Sequence, residues 1–210
     1  MSDLTTALVE MREADVIAGV AAAQAAGESA NDIIAALQEG MRIIGDKFES
    51  GEFYLSELIM SAEIFKQALA ELGLDQAAAD TDAKATVILG TVRTDIHDIG
   101  KNIVASVLSA NGFKVVDLGV DVPAAAFVAA AQENDAKLIG LSCLLTTAFA
   151  AMKETIEAFA EAGLREQVSI FVGGGPVTPE LAAQLGADGA GISAQEAVML
   201  ADHALAGSAS

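Results

Sequence analysis

Tryptophan is missing from this 210-residue chain, tyrosine and cysteine occur once each, and histidine twice. A single cysteine, Cys143, excludes an internal disulfide framework and a cysteine-based zinc cluster. With aromatics at 4% and hydrophobic residues at 53%, Ala, Val, Leu and Ile must pack the cores. Basic residues are also scarce: 11 Lys and Arg stand against 30 Asp and Glu, a formal net charge of −19. Nucleic acid, whose phosphates need a basic face, is therefore not an expected partner. The acidic residues are spread along the chain and read mostly as a solvated surface that keeps copies apart. No apolar run reaches the roughly 18 residues of a membrane span, and no signal-peptide pattern opens the sequence. The expected setting is the cytoplasm, with no membrane partner.

What is present falls into two styles that meet near residue 80. Residues 1–75 read as helices only. Ser29 and Asp32 make a capping-box pattern. Ile34, Leu37, Met41, Ile44 and Phe48 then recur every three or four residues, the apolar face of one helix, and Gly51 marks its stop. Leu55, Leu58, Ala62, Phe65, Leu69 and Leu72 repeat the pattern. Two shorter Ala-rich segments, residues 4–10 and 14–26, precede them. Short connections between amphipathic helices predict a four-helix bundle. Residues 76–85 carry no apolar period and read as a linker or hinge.

From residue 86 to 210 the pattern alternates. Apolar strands are expected at residues 86–90, 114–118, 138–142, 169–172 and 186–191. Helices are expected at residues 98–111, 123–134, 146–162, 179–184 and 194–205. Near-continuous apolar strands separated by helices imply a parallel sheet covered on both faces. The fold class is thus all-α followed by α/β, the second part a doubly wound, flavodoxin- or Rossmann-like domain with five strands in the order 2-1-3-4-5. Such sheets bind ligands beyond the carboxyl ends of the strands, where the strand order reverses.

Three loops follow strands that would meet there: "RTDIHDIG", "LSCLLTT" and "VGGGPV". Each is ambiguous alone. His97 reads equally as a surface residue held by Asp95 or Asp98. Ser142 could simply cap the next helix, and a run of glycines serves any close backbone approach. None has the G-x-G-x-x-G spacing of a dinucleotide site.

Together they form Asp95-x-His97-x-x-Gly100, then 41 residues, Ser142-x-Leu144, then 28 residues, and Gly173-Gly174. This pattern resembles the signature of cobalamin-binding domains. The resemblance runs on through "FKVVDLGVDVP", "LIGLSCLLTT" and "GGGPVTPELAAQLGADG". The stretch "MRIIGDKFESGEFYLSELIMSAEIFKQAL" is similar to the helical cap that precedes that domain in methionine synthase and in small corrinoid proteins. The likeness covers residues 3 to 205.

The resemblance implies cobalamin or a related corrinoid held base-off and His-on, with His97 as the lower cobalt ligand. Asp95 would accept the other ring N–H, which fixes the tautomer and raises ligand basicity. Thr94, Ile96, Asp98 and Ile99 would share the cofactor-facing loop, and Gly100 would leave room for the corrin. Ser142 would hydrogen-bond the displaced benzimidazole, Leu144 and Thr146 would line its slot, and Gly173, Gly174 and Gly175 would let the tail pass. Phe48, Leu55 and Leu58 match the cap residues over the methyl group, although periodicity alone assigns them to the bundle core. One departure stands out: the serine that extends the His–Asp pair in methionine synthase is Ala148 here. The hydrogen-bond relay therefore lacks its third member unless Thr146, Thr147 or a water substitutes.

By the same resemblance the chain is a methyl carrier, not catalytic without partners. Cobalt would accept a methyl as Co(I) and donate it as methyl-Co(III). The implied partners are a substrate-specific methyltransferase, a second methyltransferase serving tetrahydrofolate or a thiol, and an ATP-dependent reductive activator. An O-demethylase system for methoxylated aromatics is the favoured setting. Methanol, methylamine and glycine betaine are alternatives, because substrate choice resides in the partner. A cobalamin-dependent sensor or regulator is the reading from another class. The small subunit of a carbon-skeleton mutase and a flavodoxin-like binder without cobalt complete the set.

Overall fold

A computed structural model of the chain describes residues 3–72 and 83–207. The expected linker, residues 76–85, lies outside the described residues except for its last three. Contacts divide the chain into two compact units, Met1–Ala83 with Ser109–Gly112, and Lys84–Leu108 with Phe113–Ser210.

The first unit has four helices among its described residues: α1 (Asp3–Val9), α2 (Glu13–Ala25), α3 (Ala30–Glu49) and α4 (Leu55–Glu71). Each start and stop has a local cause. The Ser29 hydroxyl accepts the Asp32 amide at 3.2 Å and caps α3. Just beyond the end of α3, Gly51 takes a left-handed φ of 77°. Ahead of α4, the Glu57 carboxylate accepts the Tyr54 amide at 2.9 Å. The Thr5 hydroxyl donates to the Ala36 carbonyl at 2.9 Å and ties α1 to α3.

The bundle core contains Leu8, Val16, Val20, Leu37, Met41, Ile44, Leu58 and Phe65, all buried. Burying each such side chain is worth about 1.5–3 kcal/mol. The expected stripe on α3 is buried at Leu37, Met41 and Ile44 and differs only at its ends: Ile33 is buried, while Ile34 and Phe48 are half-buried. Positions three and four residues before Leu37 both lie near one helical face, and the neighbouring helices decide between them. On α4 the stripe begins at Leu58, which is 0% exposed, whereas Leu55 is 46% exposed. A core role therefore fits Leu58 and not Leu55.

The second unit alternates strand and helix: β1 (Thr86–Thr91), α5 (Ile99–Ala110), β2 (Lys114–Asp117), α6 (Ala124–Glu133) and β3 (Leu138–Ser142). It continues with α7 (Phe149–Glu161), β4 (Ser169–Gly173), α8 (Pro179–Leu185), β5 (Gly189–Gly191) and α9 (Ala194–Gly207). The five strands pair in parallel in the order β2-β1-β3-β4-β5. Ile88, Ile139 and Ile170 stand in register across the three central strands and share a core with Phe127, Met152 and Phe159. Two elements begin three residues later than expected, β5 and α7. Gly186 is the left-handed C-cap of α8 and not the start of β5. A 3-10 turn, Thr146–Ala148, precedes α7. Among the described residues no helix is long and apolar enough to cross a membrane.

The reversal of order beside β1 sets its carboxyl end next to that of β3, with β4 adjoining. The three loops of interest therefore leave the sheet from neighbouring strands. The burial contrast within α4 generates an expectation. Leu58→Ala should lower stability by about 2–5 kcal/mol in urea unfolding followed by circular dichroism. Leu55→Ala should stay within about 0.5 kcal/mol of the unaltered protein.

Candidate functional site

β1 does not end cleanly at Thr91. Val92 makes a further parallel bridge to Val122, and the Val92 amide donates to the Ser142 carbonyl at 3.1 Å. The chain then turns through Thr94, which has a left-handed φ of 69°. Asp95 follows and is 0% exposed, while Ile96 and Ile99 around it are 72% and 77% exposed. The buried Thr91 hydroxyl closes the loop from below by donating to the His97 carbonyl at 2.9 Å. Asp98 sits at the start of α5, its carbonyl accepting the Asn102 amide at 2.8 Å. The Asp98 carboxylate accepts the Asn102 side-chain amide at 3.3 Å, and it is Asp95 that pairs with the imidazole.

Asp95 is the centre of the arrangement. Its Oδ1 lies 2.6 Å from His97 Nδ1 and accepts the His97 amide at 3.1 Å. Its Oδ2 accepts the amides of Leu144 and Leu145 at 2.6 and 3.0 Å. Burial works against ionisation here. The amides of Leu145 and Leu144, the His97 ring and the His97 amide outweigh it and hold the carboxyl well below the usual carboxylate range. With a carboxylate as acceptor, Nδ1 is a protonated ring nitrogen, and in the neutral imidazole Nε2 carries the lone pair. The His97 side chain is 46% exposed, so that nitrogen belongs to an accessible ring.

Ala148, at the position of the absent serine, is buried, and the main-chain amides of Leu144 and Leu145 occupy the second carboxylate oxygen. Beside them the Cys143 thiol donates to the Leu145 carbonyl at 3.1 Å. Burial, and then the Asp95 charge, push that thiol up to about 12, so it stays protonated and packs as an apolar group.

The glycine loop follows from the same crowding. A Cβ on Gly174 would lie 1.9 Å from the Cys143 carbonyl oxygen, and its φ is 128°. A Cβ on Gly173 would lie 2.9 Å from the Gly191 carbonyl, and one on Gly175 3.1 Å from Leu144. These glycines let β4 and its loop press against the protein's own backbone. Gly100 is the opposite case: nothing lies within 4 Å of its absent Cβ. Ser142 is half-buried at the end of β3 and does not cap a helix, and Thr146 is exposed in the 3-10 turn. Lys101 and Arg93 are already engaged, Lys101 with Asp117 and Asn102 and Arg93 with Glu154.

An accessible imidazole, an open glycine and exposed aliphatic side chains of Ile96, Ile99, Leu144 and Leu145 therefore share the carboxyl end of the sheet. Among the described residues no three His, Cys, Asp or Glu converge on a metal position. One imidazole on an apolar face suits a metal that arrives with a macrocycle supplying its other ligands. A sequence profile described as the B12 binding domain matches residues 85–199, and another of the same description matches residues 2–72. The chain belongs to the corrinoid methyl-carrier proteins of methyltransferase systems. A corrinoid protein of Desulfitobacterium hafniense strain Y51 is 39% identical over 98% of this chain and 97% of its own length. Dimethylamine corrinoid protein 1 of Methanosarcina mazei is 38% identical over 99% and 96%. Among solved structures, a cobalamin-binding protein from Desulfitobacterium hafniense DCB-2 matches with a TM-score of 0.81 and 33% identity, over 97% of this chain and 98% of that one. The methanol:cobalamin methyltransferase complex of Methanosarcina barkeri matches with a TM-score of 0.84 and 34% identity, over 97% of this chain and 78% of that one.

The sequence pattern singled out His97, Asp95 and Gly174 but gave no sign of Thr91, Asp121 or the Leu144–Leu145 amides, all of which hydrogen-bond residues 94–97. A threonine ending a strand and an aspartate before Val-Pro read as ordinary turn chemistry, and main-chain donors leave no sequence signal. The Gly174 contact can be tested directly. Gly174→Ala should destabilise the cofactor-free protein by more than about 1 kcal/mol, read as a drop in melting temperature, because both φ and the Cys143 carbonyl oppose a Cβ.

Proposed function

We propose that His97 is the lower cobalt ligand of a base-off, His-on corrinoid and that the chain carries methyl groups between two partner methyltransferases. The observation that carries this reading is the 2.6 Å contact of His97 Nδ1 with a fully buried Asp95. Asp95 orients the ring and leaves Nε2 as the free donor atom. Ile96, Ile99 and Gly100 offer a flat apolar face below the ring system, with Thr94 and Asp98 at its rim. Ser142, Leu144 and Thr146 receive the displaced nucleotide tail, while Gly173, Gly174 and Gly175 keep β4 close enough to shape the slot. When bound, the cofactor supplies a cobalt that can take a methyl group from a donor and release it to an acceptor. In the helical unit, Leu55 is the exposed member of the three cap residues, Phe48 is half-buried and Leu58 is buried in the bundle core.

The partners follow from the carrier role: a methyltransferase that demethylates the substrate, a second that serves tetrahydrofolate or a thiol, and an ATP-dependent reductive activator. For the substrate we propose a methylated amine. Relatives at 35–39% identity over nearly the whole chain are named dimethylamine corrinoid proteins. The O-demethylase setting expected from sequence has no such support among these names.

Titration with cobalamin should give a histidine-ligated absorption spectrum, and His97→Ala should abolish that form and weaken binding by about 10–100-fold or more. Binding of equal strength and spectrum in His97→Ala would sink the ligand assignment. Gly100→Ala should leave the melting temperature of the cofactor-free protein unchanged yet weaken corrinoid binding, since its Cβ points into open space that the ring system would fill. With the co-purified methyltransferase, methyl transfer should proceed from dimethylamine or trimethylamine. Transfer only from a methoxylated aromatic or from methanol would overturn the amine reading while keeping the carrier.

A further inference from the structure

The loop that presents His97 is pinned before any ligand arrives, and one pin comes from a residue with no assigned role. Asp121 lies in the turn between β2 and α6, exposed and with a left-handed φ of 54°. Its Oδ1 accepts the Thr94 amide at 2.7 Å, and its own amide donates to the Asp95 carbonyl at 2.9 Å. The two hydrogen bonds run in opposite directions and form a clasp across Thr94 and Asp95. Thr94 is also left-handed, with a φ of 69°. Two non-glycine residues facing each other in this sparsely populated region persist only where the surroundings over-determine them. Here each holds the other. The Val92–Val122 bridge flanks the clasp on one side, and the Thr91 hydroxyl on the His97 carbonyl secures the other.

We propose that Asp121 is a positioning residue for cobalt ligation: its carboxylate, through the Thr94 amide, fixes the His97 loop in the shape that presents Nε2. This rests on the reading of His97 as the lower ligand. The clasp acts on the backbone at Thr94 and Asp95, three and two residues before His97. Without it Thr94 can relax toward right-handed φ and turn Asp95 and His97 away from the docked geometry. The Asp95–His97 contact then forms only part of the time, and a ligand must select that fraction. Aspartate suits the position because it tolerates left-handed backbone and offers a short acceptor. Asparagine shares both properties; alanine and serine do not share them together.

Asp121→Ala, Asp121→Ser and Asp121→Asn test this. Being exposed, the residue is outside the core, and a melting curve confirms that each variant folds. In the cofactor-free protein, hydrogen exchange at the Thr94 and His97 amides should quicken by about 10-fold in the Ala and Ser variants and stay near the original rate in Asn. After loading with cobalamin, paramagnetic resonance with isotopically labelled histidine should show a smaller histidine-ligated fraction in Ala and Ser. The dissociation constant should rise by about 10-fold, the lower end for loss of an outer-shell partner. The Asn variant should restore both. A merely structural role would move the melting temperature without moving the ligated fraction. If the unaltered protein shows histidine nitrogen on cobalt and Asp121→Ala shows it equally, the positioning role is overturned and the ligand assignment stands. If the unaltered protein shows none, the ligand assignment fails and this role falls with it.

Discussion

The Asp95 carboxylate is shut off from solvent and takes four N–H groups, two from His97 and one each from Leu144 and Leu145. A buried charge with unfilled lone pairs is strongly destabilising, and one with every lone pair occupied is tolerated. The loops after β1 and β3 are therefore bound to each other by the needs of a single ion. Imidazole orientation, ring tautomer and the path of the Ser142–Leu145 segment all depend on it. The packed backbone at Gly174, pressed on the Cys143 carbonyl, extends the same constraint to the loop after β4.

This explains why the site is rigid where it is polar and open where it is apolar. Main-chain polar groups of the His97 loop are engaged by Thr91, Asp95, Asp121 and Ser142. Aliphatic side chains of Ile96, Ile99, Leu144 and Leu145 are left outward. The accessible imidazole of His97 stands among these aliphatic side chains.

Much of this was legible in the sequence. The helical unit, the five parallel strands and their order followed from apolar periodicity, because burial imposes it on every element. His97 became informative only through its spacing to Ser142 and Gly173, since separate loops converge only in the right strand order. What escaped was whatever the backbone does. The partner of the second Asp95 oxygen is a pair of main-chain amides, invisible to any reading of side chains. The glycine run was read as room for a ligand tail, whereas Gly174 is first required by the Cys143 carbonyl. The choice of Ile33 over Ile34, and the exposure of Leu55, were set by packing between helices that a single helical wheel does not contain.

The main-chain anchoring of Asp95 separates two jobs that share one loop. Leu144 and Leu145 hold the carboxylate with their amides and turn their side chains to solvent. Either side chain could be exchanged for one of different size without loosening the ion beneath it. The side chains of this loop are thus free to drift over generations, while the hold on the imidazole is written into the peptide chain itself.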